Sequence, residues 1–255
     1  MTWKAIGQSV IGTSHTTTGI NCQDAVNHSV ITSTDGTEIL LVTISDGAGS
    51  ALYAAEAAHM VTSKATEYIK ELLQKNNIIS ATHIYALAEH LYDQLAQAAS
   101  SNEVTIDEYS CTMLGAIIGQ QNAVFYQIGD GAIIRTDDSG TYNTIWWPHN
   151  GEYLNTTAFV TDHLSMPSLQ VVVLQEKINE IALLTDGLQM LTLSMDTMTV
   201  HQPFFKGFFH HLRMADTAEK TELLDTMLAK YLDSTAINAR TDDDKTLFLA
   251  TRLPA

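Results

Sequence analysis

Aspartates stand at the ends of predicted strands throughout this chain of 255 residues. Asp46, Asp130 and Asp186 each follow an apolar run and precede a glycine. Asp24 and Asp243 come shortly before apolar runs. Because carboxylates do not stay ionised at close range without a compensating cation, we expect these strand ends to bind metal. Oxygen ligands favour Mg²⁺, Mn²⁺ or Ca²⁺ over Zn²⁺.

The alternative for any one of these positions is an ordinary turn, because Asp-Gly is a common turn dipeptide. Three Asp-Gly steps, each closing an apolar strand, and the segment TDDDKT before the last strand make coincidence a poor explanation for the set. The pattern as a whole therefore indicates a metal centre built from strand ends. Glycine after each aspartate permits a sharp turn there.

The composition limits the classes of partner. The chain has 13 basic and 29 acidic side chains, a formal net charge of −16, and 45% hydrophobic residues. Such an acidic protein is not expected to bind nucleic acid or an anionic membrane surface, which require clustered Lys and Arg. The first residues do not resemble a secretory signal, and Cys22 and Cys111 form no CxxC pair. We therefore expect a cytoplasmic protein.

The order of predicted elements indicates an α+β fold in a single domain, residues 1–255. Helical spacing of apolar residues predicts helices over 51–73, 79–98, 204–214 and 218–232. Apolar runs predict strands over 3–10, 25–32, 38–45, 112–118, 123–128, 132–136, 169–174, 180–185 and 245–251. The Thr- and Gly-rich stretch that ends at Gly19 is expected to be a loop.

Two of the predicted strand pairs are expected to be hairpins. Strands 25–32 and 38–45 are joined by Asp35-Gly36, which favours a tight turn. Strands 169–174 and 180–185 are separated by a short connection and form the second predicted hairpin.

Other catalytic motifs fit the sequence poorly. Gly47 and Gly49 begin a GxGxxG pattern, but Leu52 replaces the third glycine. A P-loop fails because Thr13 stands where the lysine is required. The chain contains no GxSxG, so a serine hydrolase has little support.

Six segments together resemble the metal-dependent protein phosphatases of type 2C, the PPM family, and in particular a bacterial subgroup. In chain order they are GTSHTTTGINCQDA (12–25), ILLVTISDGAGSALYAAEAA (39–58), YSCTMLGAII (109–118), VFYQIGDGAII (124–134), EIALLTDGLQML (180–191) and DDDKTLFLA (242–250). The resemblance implies a four-layer αββα sandwich, in which two antiparallel β-sheets are flanked by helix pairs. It also implies hydrolysis of phosphoserine and phosphothreonine in proteins, by a metal-bridging hydroxide and without a phosphoenzyme.

The resemblance further implies a centre of two divalent cations, Mn²⁺ or Mg²⁺, and a weaker third. Asp46 would bridge two metals, and the Gly47 carbonyl would bind one of them. Asp186 and Asp243 would hold the other. Asp24 would bind metal-coordinated waters, and Asp130 would hold the third cation with Asp186. Expected partners are a phosphoprotein substrate and a cognate Ser/Thr kinase or its targets.

The chain departs from the family pattern around the substrate phosphate. Gly19 stands where the family commonly has a phosphate-binding arginine, and Gln23 replaces a glutamate. Ala48 occupies the position of a histidine in eukaryotic members. His15 is therefore our candidate for the phosphate contact or for the acid that protonates the leaving alcohol, and the alternative is a solvated loop histidine.

Three further positions are left open by the sequence. Thr112 is either a hydroxyl residue near the metal centre or a threonine that packs within a strand. TDHLS (161–165) is similar to a further family motif, and residues 146–157 are expected at the rim of the site.

The missing arginine keeps a second function open, a phosphatase-fold module that binds a phosphoprotein or kinase. A third is a phosphatase for small molecules.

Overall fold

The computed structural model describes residues 2–33, 36–75, 79–148, 157–162 and 168–254. The chain divides into two compact units. The terminal unit comprises Met1–Cys22, Gly131–Pro148 and Ile178–Ala255, and the central unit comprises Gln23–Asp130 and His149–Lys177.

The central unit contains an antiparallel sheet of five strands in the order β2-β3-β4-β5-β8. Its strands are β2 (Asp24–Thr32), β3 (Glu38–Asp46), β4 (Met113–Ile118), β5 (Ala123–Ile128) and β8 (Gln170–Leu174). Strands β4 and β5 are buried along their whole length, as their continuous apolar sequences require. The long helices α2 (Ala54–Lys75) and α3 (Ala81–Ser101) pack their apolar stripes against this sheet.

The terminal unit contains an antiparallel sheet of five strands in the order β1-β12-β9-β6-β7. Its strands are β1 (Lys4–Val10), β6 (Ala132–Thr136), β7 (Tyr142–Thr144), β9 (Glu180–Leu184) and β12 (Lys245–Thr251), with a small pair β10 (Leu193–Ser194) and β11 (Thr199–Val200). Its helices are α1 (Thr13–Thr18), α4 (Gln189–Thr192), α5 (Gln202–Met214), α6 (Ala218–Leu232) and α7 (Thr235–Asn238). Phe205, Phe209 and Leu212 of α5 pack on the apolar side chains of this sheet.

Most predicted elements are confirmed within a few residues, including the hairpin β2–β3, whose Asp35 lies outside the described residues. The α+β class with two antiparallel sheets is likewise confirmed. No helix in the described ranges has both the length and the apolar composition needed to cross a bilayer.

The predicted hairpin of 169–174 with 180–185 is wrong. Strand β8 pairs with β5 in the central unit, and β9 pairs with β12 and β6 in the terminal unit. The buried positions explain the difference, since all five residues of β9 are buried, as in a central strand, whereas no residue of β8 is. Adjacent apolar strands in a sequence therefore need not pair with each other.

The predicted loop before Gly19 is also wrong, because residues Thr13–Thr18 form helix α1. Three threonine hydroxyls bond the carbonyl four residues earlier, with Thr16 donating to Gly12, Thr17 to Thr13 and Thr18 to Ser14. Threonine has a low intrinsic helix propensity, so the sequence pattern gave no sign of this turn and a half of helix.

Candidate functional site

Asp24 and Asp46 lie directly opposite each other in the central unit, as the terminal pair of the β2–β3 ladder. Directly opposite residues of an antiparallel pair have Cβ atoms about 4.5–5.5 Å apart and side chains on the same face. Asp24 is 2% exposed and Asp46 is half-buried. The ladder therefore brings together two of the carboxylates that the sequence singled out.

Thr112 holds the main chain of Asp46 through two hydrogen bonds. The Asp46 N–H donates to the Thr112 hydroxyl at 2.9 Å, and the Thr112 N–H donates to the Asp46 carbonyl at 2.8 Å. The Ser45 hydroxyl also donates to the Thr112 carbonyl. Thr112 thus positions the main chain of a predicted metal ligand, and it is itself buried immediately before β4.

Gly47 and Ala48 continue the chain into a tightly packed corner. The Gly47 N–H donates to the Gln23 carbonyl at 3.0 Å, and a Cβ at Gly47 would lie 2.5 Å from the Ala54 carbonyl oxygen. Only glycine permits this approach of helix α2. Ala48 packs in a small apolar cluster with Ala51 and Ala54.

Asp130 lies at the same edge of the central sheet, two residues after β5. The Thr157 hydroxyl donates to its Oδ2 at 2.6 Å. Gly129 adopts a φ of +113°, and a Cβ there would lie 2.6 Å from the Thr112 Cβ. Thr157 belongs to the predicted rim segment 146–157, of which 149–156 lie outside the described residues, as do residues 163–165 of TDHLS.

The terminal unit has its own acidic edge. Asp186 follows β9, and Asp243 precedes the neighbouring strand β12. A Cβ at Gly187 would lie 2.1 Å from the Asp244 carbonyl oxygen and 3.4 Å from the Asp243 Cβ. The loop carrying Asp186 therefore contacts the loop carrying Asp243, as the sequence pattern predicted.

The ionised form of the Asp243 carboxyl group is disfavoured by its surroundings. Loss of water around it raises its pKa, and the negative charges of Asp244 and Asp242 raise the pKa further, although the residue as a whole is exposed. The Asp244 N–H donates to Asp243 Oδ1 at 2.8 Å, and this bond and the nearby His15 act in the opposite direction. A bound cation would relieve the repulsion.

The donor set at both edges fits a hard divalent cation. Each edge offers carboxylate oxygens, which Mg²⁺ and Mn²⁺ prefer. Within the described residues, no group of three or more His, Cys, Asp or Glu side chains is close enough together to hold a metal ion. The chemistry of the donors, rather than a finished coordination sphere, is what supports metal binding here.

His15 and Asp244 form a close pair that the sequence did not predict. His15 Nδ1 lies 3.0 Å from Asp244 Oδ2, and the two side chains are 16% and 3% exposed. The Gly12 N–H donates to the other carboxylate oxygen at 2.6 Å. Because an ionised carboxylate only accepts hydrogen bonds, Nδ1 carries the hydrogen and Nε2 is the nitrogen left for a ligand.

Lys245 is the second residue that the sequence reasoning missed. It is fully buried, and its Nζ donates to the Ile11 carbonyl at 3.2 Å, the Asp243 carbonyl at 3.2 Å and Asn238 Oδ1 at 3.0 Å. These three acceptors use all three ammonium hydrogens. The visible signal was a lysine at the head of an otherwise apolar strand, KTLFLAT.

Gly19, at the position of the family arginine, ends helix α1 with a φ of +74°. This left-handed conformation is strained for residues with a Cβ, so an arginine is disfavoured there. The absence of the arginine is therefore linked to the local backbone, and His15 lies one helical turn earlier.

Cys111 is not a nucleophile in this structure. It is fully buried, and burial raises the pKa of its thiol to about 12. The thiol therefore stays protonated at neutral pH, when the thiolate is the reactive form.

Known proteins are similar to this chain along most of its length. The family model described as protein phosphatase 2C matches residues 11–233. The chain is 33% identical to serine/threonine-protein phosphatase 3 of Escherichia coli (strain K12) over 255 residues, which covers 98% of each chain.

Solved structures of bacterial phosphatases have the same fold. Serine/threonine phosphatase Stp1 from Staphylococcus aureus superposes with a TM-score of 0.62 at 17% identity, covering 99% of this chain and 96% of that one. The S. agalactiae serine/threonine phosphatase gives a TM-score of 0.59 at 15% identity, covering 98% and 99%. These matches confirm the fold class inferred from the motifs. With the family model and the relative of 33% identity, they lead to one conclusion: this chain belongs to the protein phosphatase 2C family.

Proposed function

We propose that this protein is a metal-dependent phosphatase for phosphoserine and phosphothreonine residues of proteins. The observation that carries the proposal is the whole-chain similarity to a serine/threonine-protein phosphatase. The carboxylates at the strand ends of both units support it. In this proposal residues 1–255 are one type 2C domain, and the substrates are cytoplasmic proteins phosphorylated by a cognate Ser/Thr kinase.

The proposed ligands of two divalent cations, Mn²⁺ or Mg²⁺, are carboxylates and one main-chain carbonyl: Asp46, Gly47, Asp186 and Asp243. Asp24 binds water at this centre, and Asp130 joins Asp186 at a weaker third cation. When bound, such cations make hydroxide available from water near neutral pH and offset charge on the phosphoryl oxygens. The Asp24–Asp46 register and the Thr112 hydrogen bonds keep two of these carboxylates in place before any metal arrives.

His15 is the proposed contact to the phosphate or to the leaving alcohol. Asp244 accepts from Nδ1 and so fixes the ring orientation and the tautomer. A protonated Nε2 can donate to a phosphoryl oxygen or give its proton to the leaving alkoxide. Asp244 is accordingly a positioning residue, and His15 is the residue that replaces the function of the missing arginine.

The first experiment measures phosphate release from a phosphothreonine peptide with Mn²⁺, with EDTA, and with the variant Asp46→Asn. We expect Mn²⁺-dependent turnover that EDTA abolishes and that Asp46→Asn lowers by at least about a hundredfold, because the variant removes a charged ligand. Asp93→Asn, an exposed carboxylate on helix α3, is the matched control and should retain full activity. Turnover that persists in Asp46→Asn or in EDTA would contradict the proposal.

The second candidate is a phosphatase-fold module that binds a phosphoprotein or kinase, and the glycine at position 19 favours it. Bound Mn²⁺ with no turnover of any phosphopeptide would select this candidate. Hydrolysis of p-nitrophenyl phosphate but of no phosphopeptide would instead indicate a phosphatase for small molecules. The variant His15→Ala tests the proposed role of His15, since an unchanged kcat and KM would exclude His15 from the reaction.

A further inference from the structure

Helix α6 of the terminal unit carries an apolar stripe on its exposed side. Leu223, Met227 and Tyr231 are 59%, 53% and 39% exposed, and each follows the one before it by four residues. Residues at this spacing lie one above the other on one face of a helix. Single exposed apolar side chains are ordinary in soluble proteins, whereas a contiguous row of them indicates a surface that another molecule covers.

The other side of α6 is fixed to the terminal sheet. Leu228 and Leu232 are buried in the apolar core of this unit. The Asp225 carboxylate accepts from the Gly7 N–H at 2.8 Å and from the Gln8 side-chain amide. These contacts hold the helix against strand β1, so the apolar stripe is not free to rotate into the core of its own chain.

Aromatic rings of helix α5 continue the stripe onto a second helix. The Tyr231 ring lies edge-on to Phe208 with 5.2 Å between the centroids, and 6.4 Å from Phe204. Both phenylalanines are half-buried. Helices of 13 and 15 residues are about 20 Å and 22 Å long, and the axes of packed helices lie about 8–10 Å apart. The outer face of this helix pair therefore measures roughly 20 Å in each direction.

This helix pair is electrically neutral in a strongly acidic chain. Residues 202–232 contain four basic and four acidic side chains, whereas the whole chain has a net charge of −16. The excess negative charge is thus carried by the rest of the sequence. Two copies of the chain repel each other less when they meet through the helix pair than through a surface of average charge.

Two opposite charges flank the stripe at positions that fit an antiparallel copy. Glu219 and Lys230 are eleven residues apart, close to three turns, and so lie within about 20° of each other around the helix. This pair and the pair Leu223 and Met227 are both centred next to position 225. A two-fold axis at that level sets Leu223 beside Met227 of the second copy. The same axis sets Glu219 beside Lys230 of the second copy, and each contact occurs twice.

Both flanking charges are available for such a contact. Hydrogen bonds from its own N–H and from the Thr217 hydroxyl lower the pKa of Glu219, so this exposed carboxylate is ionised at neutral pH. Lys230 is exposed in the last turn of α6. The other lysine of the helix, Lys220, lies 2.6 Å from the Asp216 carboxylate of its own chain. Lys230 is therefore the cation that α6 offers to a neighbour.

We propose that this chain forms a two-fold symmetric dimer through the outer face of α5 and α6, with the two α6 helices antiparallel. An antiparallel pair also sets the positive end of each helix dipole beside the negative end of the other. Because the face is small for a stable interface, we expect the dimer to dissociate at micromolar concentration. The inference does not depend on the proposed phosphatase activity.

The first test is sedimentation velocity of the full chain from about 1 to 200 µM in about 0.15 M salt, which screens repulsion between the copies beyond about 8 Å. The sedimentation coefficient should rise with concentration from the monomer value towards the dimer value. The variant Leu223→Gln/Met227→Gln should weaken dimerisation at least about tenfold, because both copies lose apolar contact area. Tyr85→Gln removes an exposed apolar side chain from α3 and is the matched control, with an expected change of less than twofold.

A charge-swap cycle tests the antiparallel arrangement. Lys230→Glu should weaken dimerisation at least about fivefold, because two carboxylates then meet at each end of the interface. Glu219→Lys should have the same effect through two ammonium groups. The double variant Glu219→Lys/Lys230→Glu restores opposite charges and should return the dissociation constant to within about threefold of the parent value.

Three results would overturn the proposal. The first is a chain that stays monomeric over the whole concentration range, which would leave this face to a different protein. The second is a dimer whose affinity is the same in Leu223→Gln/Met227→Gln and in the parent chain. The third is a double charge variant that dimerises as weakly as the two single variants.

Discussion

The acidic edges of the two units are held by different kinds of interaction, main-chain hydrogen bonds in one and side-chain hydrogen bonds in the other. In the central unit, Asp24 and Asp46 are placed by a nine-pair strand ladder, and the Thr112 N–H adds a further main-chain hydrogen bond to the Asp46 carbonyl. In the terminal unit, Asp243 stands in a loop that side chains hold, chiefly those of Lys245 and Asp244.

This difference has consequences for tolerance to substitution. Backbone hydrogen bonds form with almost any side chain, so a carboxylate placed by a ladder depends on few particular neighbours. A loop fixed by side chains loses its geometry when one of them is replaced. We therefore expect single substitutions to damage the terminal edge more than the central one.

The largest effect is expected from Lys245→Met. The variant keeps the volume but leaves the carbonyls of Ile11 and Asp243 and the Asn238 side chain without their donor. Because buried acceptors left unsatisfied cost about 1–3 kcal/mol each, the free energy of unfolding should fall by roughly 3 kcal/mol or more. Urea denaturation measures it, with the exposed Lys230→Met expected within about 0.5 kcal/mol of the parent chain. A small loss in Lys245→Met would refute the account of this loop.

An intermediate effect is expected from Gly187→Ala. The added Cβ would lie 2.1 Å from the Asp244 carbonyl oxygen, so backbone on one side must move, at a cost of about 1–3 kcal/mol. Gly207→Ala is a control of opposite sign: it lies in the exposed interior of α5 with nothing within 4 Å of the new Cβ, and should stabilise by about 0.5–1 kcal/mol. Thermal or urea unfolding of both variants gives the comparison. Equal stabilities would show that the Asp186 and Asp243 loops do not pack as described.

The smallest effect is expected from Thr112→Val in the central unit. It removes the acceptor of the Asp46 N–H but keeps the ladder, so the loss of stability should be about 1 kcal/mol. Thr112→Ser retains the hydroxyl and should bind Mn²⁺ as the parent chain does. The measurement is Mn²⁺ affinity by calorimetry together with urea denaturation. A loss for Thr112→Val larger than that for Lys245→Met would reverse the proposed contrast between the edges.

The strand ends that carry Asp-Gly were predictable, because an apolar run predicts a strand and the Asp-Gly after it predicts the turn where the strand ends. The hairpin of β2 and β3 was predicted, but the register that sets Asp24 opposite Asp46 is seen only in the structure. The pairing of His15 with Asp244 could not be predicted in this way, because 229 positions separate the two residues and no periodicity connects them. Lys245 was overlooked because a charged residue is normally expected at the surface.

Helix α1 and the partners of β8 show a second limit of the sequence. Helix α1 forms despite the low helix propensity of threonine, and the bonds of its threonine hydroxyls to carbonyls one turn earlier are visible only in three dimensions. The pairing of β8 and β9 with separate sheets depends on long-range burial rather than on the short connection between them. A short connection shows that two strands are neighbours in the sequence, but burial in the folded protein decides which sheet each strand joins.

The left-handed Gly19 restricts the evolutionary routes open to this site. A single codon change to arginine would place a Cβ in a strained backbone at the end of α1, so the mutant would lose stability before gaining a phosphate contact. The reverse change, from arginine to glycine, relieves backbone strain only in a protein that already has helix α1 with this left-handed end. His15, helix α1 and Gly19 are therefore expected to be inherited together, and descendants with arginine at this position should lack the helix.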